Sequence, residues 1–203
     1  MYEKEIEILK GRCPILRGVI EAVGPLETPP NRDWDLFRSL ANAIIYQQLS
    51  GKAATTILNR FIALYDAKEF PTPEDVLASS DERLREAGVS KQKAGYLKDL
   101  AAKCADGTLQ PDNLPKMGDE EVIEHLTQVK GVGVWTAQMY LIFTMGRANV
   151  FPVGDLGFRN GLTRNYGIED FKDEEAVNRI RELWDPYCTA GTLYMWRSLE
   201  LEG

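Results

Sequence analysis

Apolar residues recur along this chain at intervals of three and four, and polar residues, Gly and Pro fall where helices start and stop. Residues 3–11 suit a short helix ending at Gly11, and Pro14 to Val23 a second, stopped by Gly24-Pro25. Leu26 to Arg32 is a loop. Asp33 is placed to cap a long apolar helix, Trp34 to Leu49, in which Trp34, Phe37, Leu40, Ala41, Ile44 and Ile45 keep helical spacing. Ser50 caps the next, which runs to about Tyr65. Thr72-Pro73-Glu74-Asp75 and Ser79-Ser80-Asp81-Glu82 are two further starts, the second with a capping box from Ser79 to Glu82. Gly88 ends that helix and Ser90 opens another, Lys91 to Cys104. Pro111, Pro115 and Gly118 mark a loop before a helix over Asp119 to Gln128. Beyond Asp155 a helix runs to about Tyr166 with Gly167 as its stop, Asp173 opens one ending near Trp184, and Asp185-Pro186 opens the last, through Leu199. The one strand-like stretch, Ala148 to Phe151, is too short to count. The pattern predicts an all-α fold of roughly ten helices.

One stretch departs from plain periodicity. Leu126 to Asp155 reads LTQVKGVGVWTAQMYLIFTMGRANVFPVGD. Val129-Lys130-Gly131-Val132-Gly133 interrupts one helix and leads at once into another, and its two glycines permit a sharp turn with no side chain in the way. The N–H groups of Gly131, Gly133 and Val134 then open the second helix, where unpaired donors and the helix dipole favour a phosphate. Lys130 and the Thr136 hydroxyl can add to that site. Asp155 follows a Phe-Pro-Val-Gly turn; a carboxylate there is either a helix cap or a placed catalytic group.

Composition adds one tension. The chain has 203 residues, 24 Lys plus Arg against 31 Asp plus Glu, and a formal charge of −7. That balance argues against a broad basic face on nucleic acid and favours a small footprint built from backbone donors and local cations: Lys130, Arg147, Arg159, Arg164, Lys52 and Lys91. No apolar run is long enough for a bilayer and the N-terminus lacks a signal-peptide core, so an intracellular location and no membrane contact are expected. Cys13, Cys104 and Cys188 are odd in number and far apart, which suits neither a zinc set nor a disulfide framework. His125, the only histidine, lies near a helix C-terminus, where the dipole gives it a structural role.

The hairpin, Trp135-Thr136-Ala137 and Pro152-Val153-Gly154-Asp155 together resemble the helix-hairpin-helix DNA glycosylases, most closely their alkylated-base branch, the 3-methyladenine DNA glycosylase II type. The resemblance covers the chain from about Trp34 onward. It implies two lobes with the active site in the cleft between them: residues 35–150 as a helical barrel containing the hairpin (126–145), and residues 1–34 plus 151–203 as a second lobe. Double-stranded DNA with damaged bases is the implied partner, acted on by a monomer. Asp155 becomes the catalytic carboxylate. Trp135 stands where glycosylase-lyases carry a Lys nucleophile, which implies base release without strand cleavage. Trp196 aligns with an aromatic that faces the base, with Tyr46 and Tyr140 as further pocket candidates, and Gln48 aligns with the side chain that fills the gap left by the extruded nucleotide. Residues 88–94 also resemble the family, as a capped helix start with a solvated basic face or as a phosphate contact. Relatives often carry Arg where this chain has Cys188.

No cofactor is required by this reading, and three scattered cysteines cannot supply an iron–sulfur cluster of the kind some relatives hold. A monovalent cation, Na+ or K+, is implied at the hairpin through the carbonyls of Thr127, Val129 and Val132. The competing reading is a non-catalytic helix-hairpin-helix module that docks on or scans DNA.

Overall fold

The computed structural model describes residues 3–26, 35–65 and 68–201. Among them are twelve α-helices: α1 (Glu3–Arg12), α2 (Pro14–Val23), α3 (Leu36–Tyr46), α4 (Gly51–Ala63), α5 (Pro73–Ala78), α6 (Asp81–Glu86), α7 (Lys91–Ala105), α8 (Asp119–Thr127), α9 (Val134–Met139), α10 (Leu156–Tyr166), α11 (Glu174–Trp184) and α12 (Cys188–Ser198). A 3-10 turn at Pro111–Lys116 precedes α8, and a π-helical turn at Tyr140–Thr144 extends α9. The described residues contain no strand and no helix long and apolar enough to cross a membrane. The fold is all-α.

Most expected boundaries hold to within a few residues; the differences have local causes. The cap of α3 is Asp35, whose carboxylate accepts from Arg38 N; Asp33 and Trp34 lie outside the described residues. That helix stops at Tyr46 rather than Leu49, because Gln47 turns extended and Gln48 adopts a left-handed backbone at φ 57°. α6 is capped by Ser80 and not Ser79. The Ser79 hydroxyl is engaged elsewhere, with the Tyr65 hydroxyl at 2.9 Å and the Asp75 carbonyl at 2.9 Å. The reciprocal capping box belongs to α5, between Thr72 and Asp75. Pro111 to Lys116, expected as loop, forms the 3-10 turn.

The chain divides into two compact units, Met1–Arg32 with Leu141–Gly203, and Asp33–Tyr140. The division falls at Tyr140–Leu141; the family resemblance implies residue 150. In the first unit Leu9, Leu16, Ile20, Phe158, Leu162, Ile180, Trp184, Tyr194 and Met195 make one core. α12 is its centre, buried on nearly every side, so α10 and α11 are placed by what they pack against. In the second unit the apolar face of α3 (Leu36, Phe37, Leu40, Ala41, Ile44, Ile45) is fully covered, as are Ala94, Leu97, Leu100 and Ala101 of α7. α7 is this unit's longest helix among the described residues.

Candidate active site

Asp155 stands at the N-cap of α10, where its Oδ1 accepts from the Phe158 N–H at 2.6 Å. The same oxygen accepts from the Trp196 indole N–H at 2.7 Å. A helix start and a tryptophan from α12 therefore fix one carboxylate oxygen from two directions. Gly157 makes the approach possible: a Cβ there would lie 3.1 Å from the Trp196 ring and 3.3 Å from Asp155 Oδ1. Phe143 covers Trp196, with ring centroids 5.8 Å apart and planes 15° from parallel. The turn before Asp155 is held by Asp155 N–H on the Pro152 carbonyl, 2.8 Å. Two α12 hydroxyls anchor its approach, Thr189 on the Arg147 carbonyl at 2.6 Å and Thr192 on the Val150 carbonyl at 3.1 Å. Sequence reasoning missed Phe143, Thr189 and Thr192; none sits near Asp155 in sequence, and each reads as an ordinary helix residue.

The second unit, by itself, holds a hollow of about 530 Å³ lined by Ala43, Tyr46, Gln47, Gln48, Gly131, Gly133, Trp135, Thr136 and Met139, a size suited to a small ligand. Trp135, 47% exposed on the first turn of α9, gives it an aromatic wall. Tyr46 is also exposed there, its hydroxyl 2.9 Å from Thr55 Oγ1. Gln48, exposed at its left-handed position, lies on the same rim. Tyr140 is not in the lining: it is buried, at the start of the π-helical turn.

The hairpin between α8 and α9 turns on one glycine. Gly131 has φ 83°, and a Cβ on it would meet the Tyr96 ring at 2.2 Å. Gly133, expected to share that role, has φ −97° and open space around it, so the turn itself does not require it. The N–H groups of Gly131, Gly133 and Val134 have no hydrogen-bond partner among the described residues, as an anion site requires. Thr136 leaves that set. It is 5% exposed, since α9 starts at Val134 and turns residues 136 and 137 inward. Lys130 remains on the surface with its side chain 76% exposed, while its backbone N–H donates to Asp99 Oδ2 at 2.9 Å. Burial works to raise the Asp99 carboxyl, but hydrogen bonds from the Lys103 ammonium and the Lys130 N–H outweigh it and hold the group below its ordinary range.

The hairpin carbonyls suit a hard monovalent cation. Those of Thr127 and Val132 take no hydrogen bond among the described residues, and that of Val129 takes one, from Val132 N–H at 3.0 Å. Lone pairs are thus left on all three. The described residues contain no cluster of three or more His, Cys, Asp or Glu suited to a metal ion.

Other expected contributors are placed elsewhere. Arg159 donates to the Val153 carbonyl at 2.5 Å and lies over the Phe171 ring, and Arg164 donates to the Leu201 carbonyl, so both guanidiniums are committed within the first unit. His125 is an acceptor, taking the Gln110 N–H on Nε2 at 3.1 Å. Burial lowers its pKa, so it supports a loop as a neutral ring and is not a cation on the helix dipole. Cys188, in place of the family's common Arg, is fully buried, and burial pushes its thiol up to about 12. It fills core space.

A family model described as "HhH-GPD superfamily base excision DNA repair protein" matches residues 41–186, which hold the hairpin, its pinned Gly131 and Asp155. The chain belongs to the HhH-GPD superfamily. Within it, the chain is 35% identical over 176 residues to DNA-3-methyladenine glycosylase 1 of Schizosaccharomyces pombe, covering 85% of this chain and 77% of that protein. It is 33% identical over 178 residues to a putative DNA-3-methyladenine glycosylase, YfjP, of Bacillus subtilis, covering 85% of this chain and 62% of that one; this chain thus spans under two thirds of the Bacillus protein's length. Among solved structures, the S. pombe 3-methyladenine DNA glycosylase Mag1 in complex with abasic DNA superposes with a TM-score of 0.83 at 33% identity, over 98% of this chain and 97% of that one.

Proposed function

We propose that this chain is a monofunctional DNA glycosylase of the alkylated-base branch, which hydrolyses the N-glycosidic bond of cationic bases such as 3-methyladenine or 7-methylguanine in double-stranded DNA. The observation that carries this is the pinning of Asp155 by a helix start and an indole. The long-range indole donor adds to the cap bond, and a carboxylate that must face a developing positive charge gains from being fixed beforehand.

In this reading the damaged nucleotide leaves the stack, Gln48 fills the gap, and the base enters the hollow walled by Trp135 and Tyr46. An alkylated purine carries a positive charge, which favours an electron-rich aromatic wall and weakens the bond to the sugar. Acid assistance is then dispensable. As the bond breaks, the sugar takes on oxocarbenium character, and Asp155 stabilises it and orients the attacking water. The N–H groups of Gly131, Gly133 and Val134, with Lys130, hold a strand phosphate. The carbonyls of Thr127, Val129 and Val132 would hold a monovalent cation, which would supply positive charge at the hairpin.

Trp135 supports release without strand cleavage, since indole forms no Schiff base with C1′. The lysines beside the hollow are otherwise employed: Lys130 sits on the hairpin, and Lys93 donates to backbone carbonyls. Incubating the protein with methylated duplex DNA should liberate free alkylated base and leave unbroken abasic strands. Absence of free base, or a borohydride-trapped covalent adduct, contradicts the proposal.

A further inference from the structure

α7 carries three polar residues at successive three-residue steps, Lys93, Tyr96 and Asp99, which share one face of the helix. Each reaches a different part of the functional turns. The Lys93 ammonium donates to the Ile45 carbonyl at 2.7 Å and the Gln47 carbonyl at 2.7 Å. These lie at the C-terminus of α3, where helix carbonyls lack partners and the dipole favours a cation. The Tyr96 ring fills the space that a side chain on Gly131 would need. Asp99 accepts from the Lys130 N–H. A fourth tie closes the set, since Gln47 Nε2 donates to the Gly131 carbonyl at 2.7 Å.

Two features separate this from ordinary packing. Lys93 has no ion pair among the described residues, so its charge is spent on backbone carbonyls; burial lowers its pKa accordingly. The turn it holds contains Gln48, whose left-handed backbone is the one such conformation at a non-glycine among the described residues. A conformation of that kind persists only where its surroundings over-determine it.

We propose that this face of α7 holds the Gln47-Gln48 turn and the Lys130-Gly131 hairpin in fixed register, which makes Lys93 a positioning residue for nucleotide extrusion. The inference rests on the glycosylase reading and on the wedge role of Gln48. Lys93 touches neither base nor sugar. It acts by keeping Gln48 raised while the hairpin grips the strand, so that insertion does not merely push the turn back.

The test compares Lys93→Met with wild type in single-turnover release of 7-methylguanine from two duplexes. In one the lesion faces cytosine. In the other it faces an abasic analogue, so that no partner base resists extrusion. Losing the two part-buried, charge-assisted hydrogen bonds of Lys93 should slow release opposite cytosine about tenfold or more, whereas release opposite the abasic analogue should fall less than about threefold. Equal loss on both duplexes, or loss on neither, overturns the proposal. If Lys93→Met does not fold, Lys93→Gln, which keeps a neutral donor for the turn carbonyls, should show the same split; its absence is equally decisive. Wild-type protein that releases no 7-methylguanine from either duplex overturns the glycosylase reading itself.

Discussion

Gln48 is costly where it stands. A side chain in the left-handed region is destabilised by roughly 1–2 kcal/mol, and glycine there is relieved of most of that. Gln48→Gly is therefore expected to leave thermal stability unchanged or raise it by up to ~1 kcal/mol, while lowering base excision; a variant that is both less stable and fully active contradicts the wedge role. Local order alone places Asp155 at its helix start and Trp135 just after the hairpin, and the sequence shows both positions. Local order is silent where the deciding partner is remote. The donor from Trp196 to Asp155 spans 41 positions, and nothing in either local pattern announces it. Thr136 is a case of helix phase: it is the third residue of α9, and successive helix positions turn by about 100°, which leaves its side chain only 5% exposed while Val134 and Trp135 stay on the surface.

At the scale of elements, glycines and hydroxyls define the boundaries, and tertiary contact chooses between equals. The sequence puts the cap of α6 at Ser79; the Tyr65 hydroxyl claims that residue, leaving Ser80 to cap the helix. The hairpin shows the same dependence, since of two glycines only Gly131 is pressed against an aromatic ring. Gly131→Ala faces both that collision and a positive φ, and should cost about 2–4 kcal/mol in thermal or denaturant unfolding. Gly133→Ala should cost under ~1 kcal/mol, and a reversed order would show the turn to be assigned wrongly. His125 gives a pH prediction. Its folded pKa lies below the ordinary value of 6.5, so the stability from its neutral, hydrogen-bonded form is present above about 6.5 and is lost as pH falls through the folded value. His125→Gln should flatten the fall in melting temperature between about pH 6.5 and 5; an unchanged slope places the acid sensitivity elsewhere.

For the whole molecule, an acidic chain that handles DNA must rely on few contacts. With Arg159 and Arg164 committed to backbone carbonyls, the cationic footprint is smaller than the sequence suggested. The salt dependence of binding to undamaged duplex should correspond to fewer than about six phosphates, and a steeper slope contradicts the small-footprint account. The all-α fold was legible throughout, because helical periodicity and caps are local signals. The π-helical turn where the two units meet in sequence was not, since its residues keep the same apolar pattern as a plain helix.

The most direct measurement concerns Asp155. Asparagine keeps the cap and an oxygen for the Trp196 N–H but removes the charge. Asp155→Asn should fold with stability within ~1 kcal/mol of wild type and retain DNA binding, yet release no measurable free base from methylated duplex under conditions where wild type completes the reaction. Turnover close to wild type in that variant would show that the carboxylate is only a helix cap.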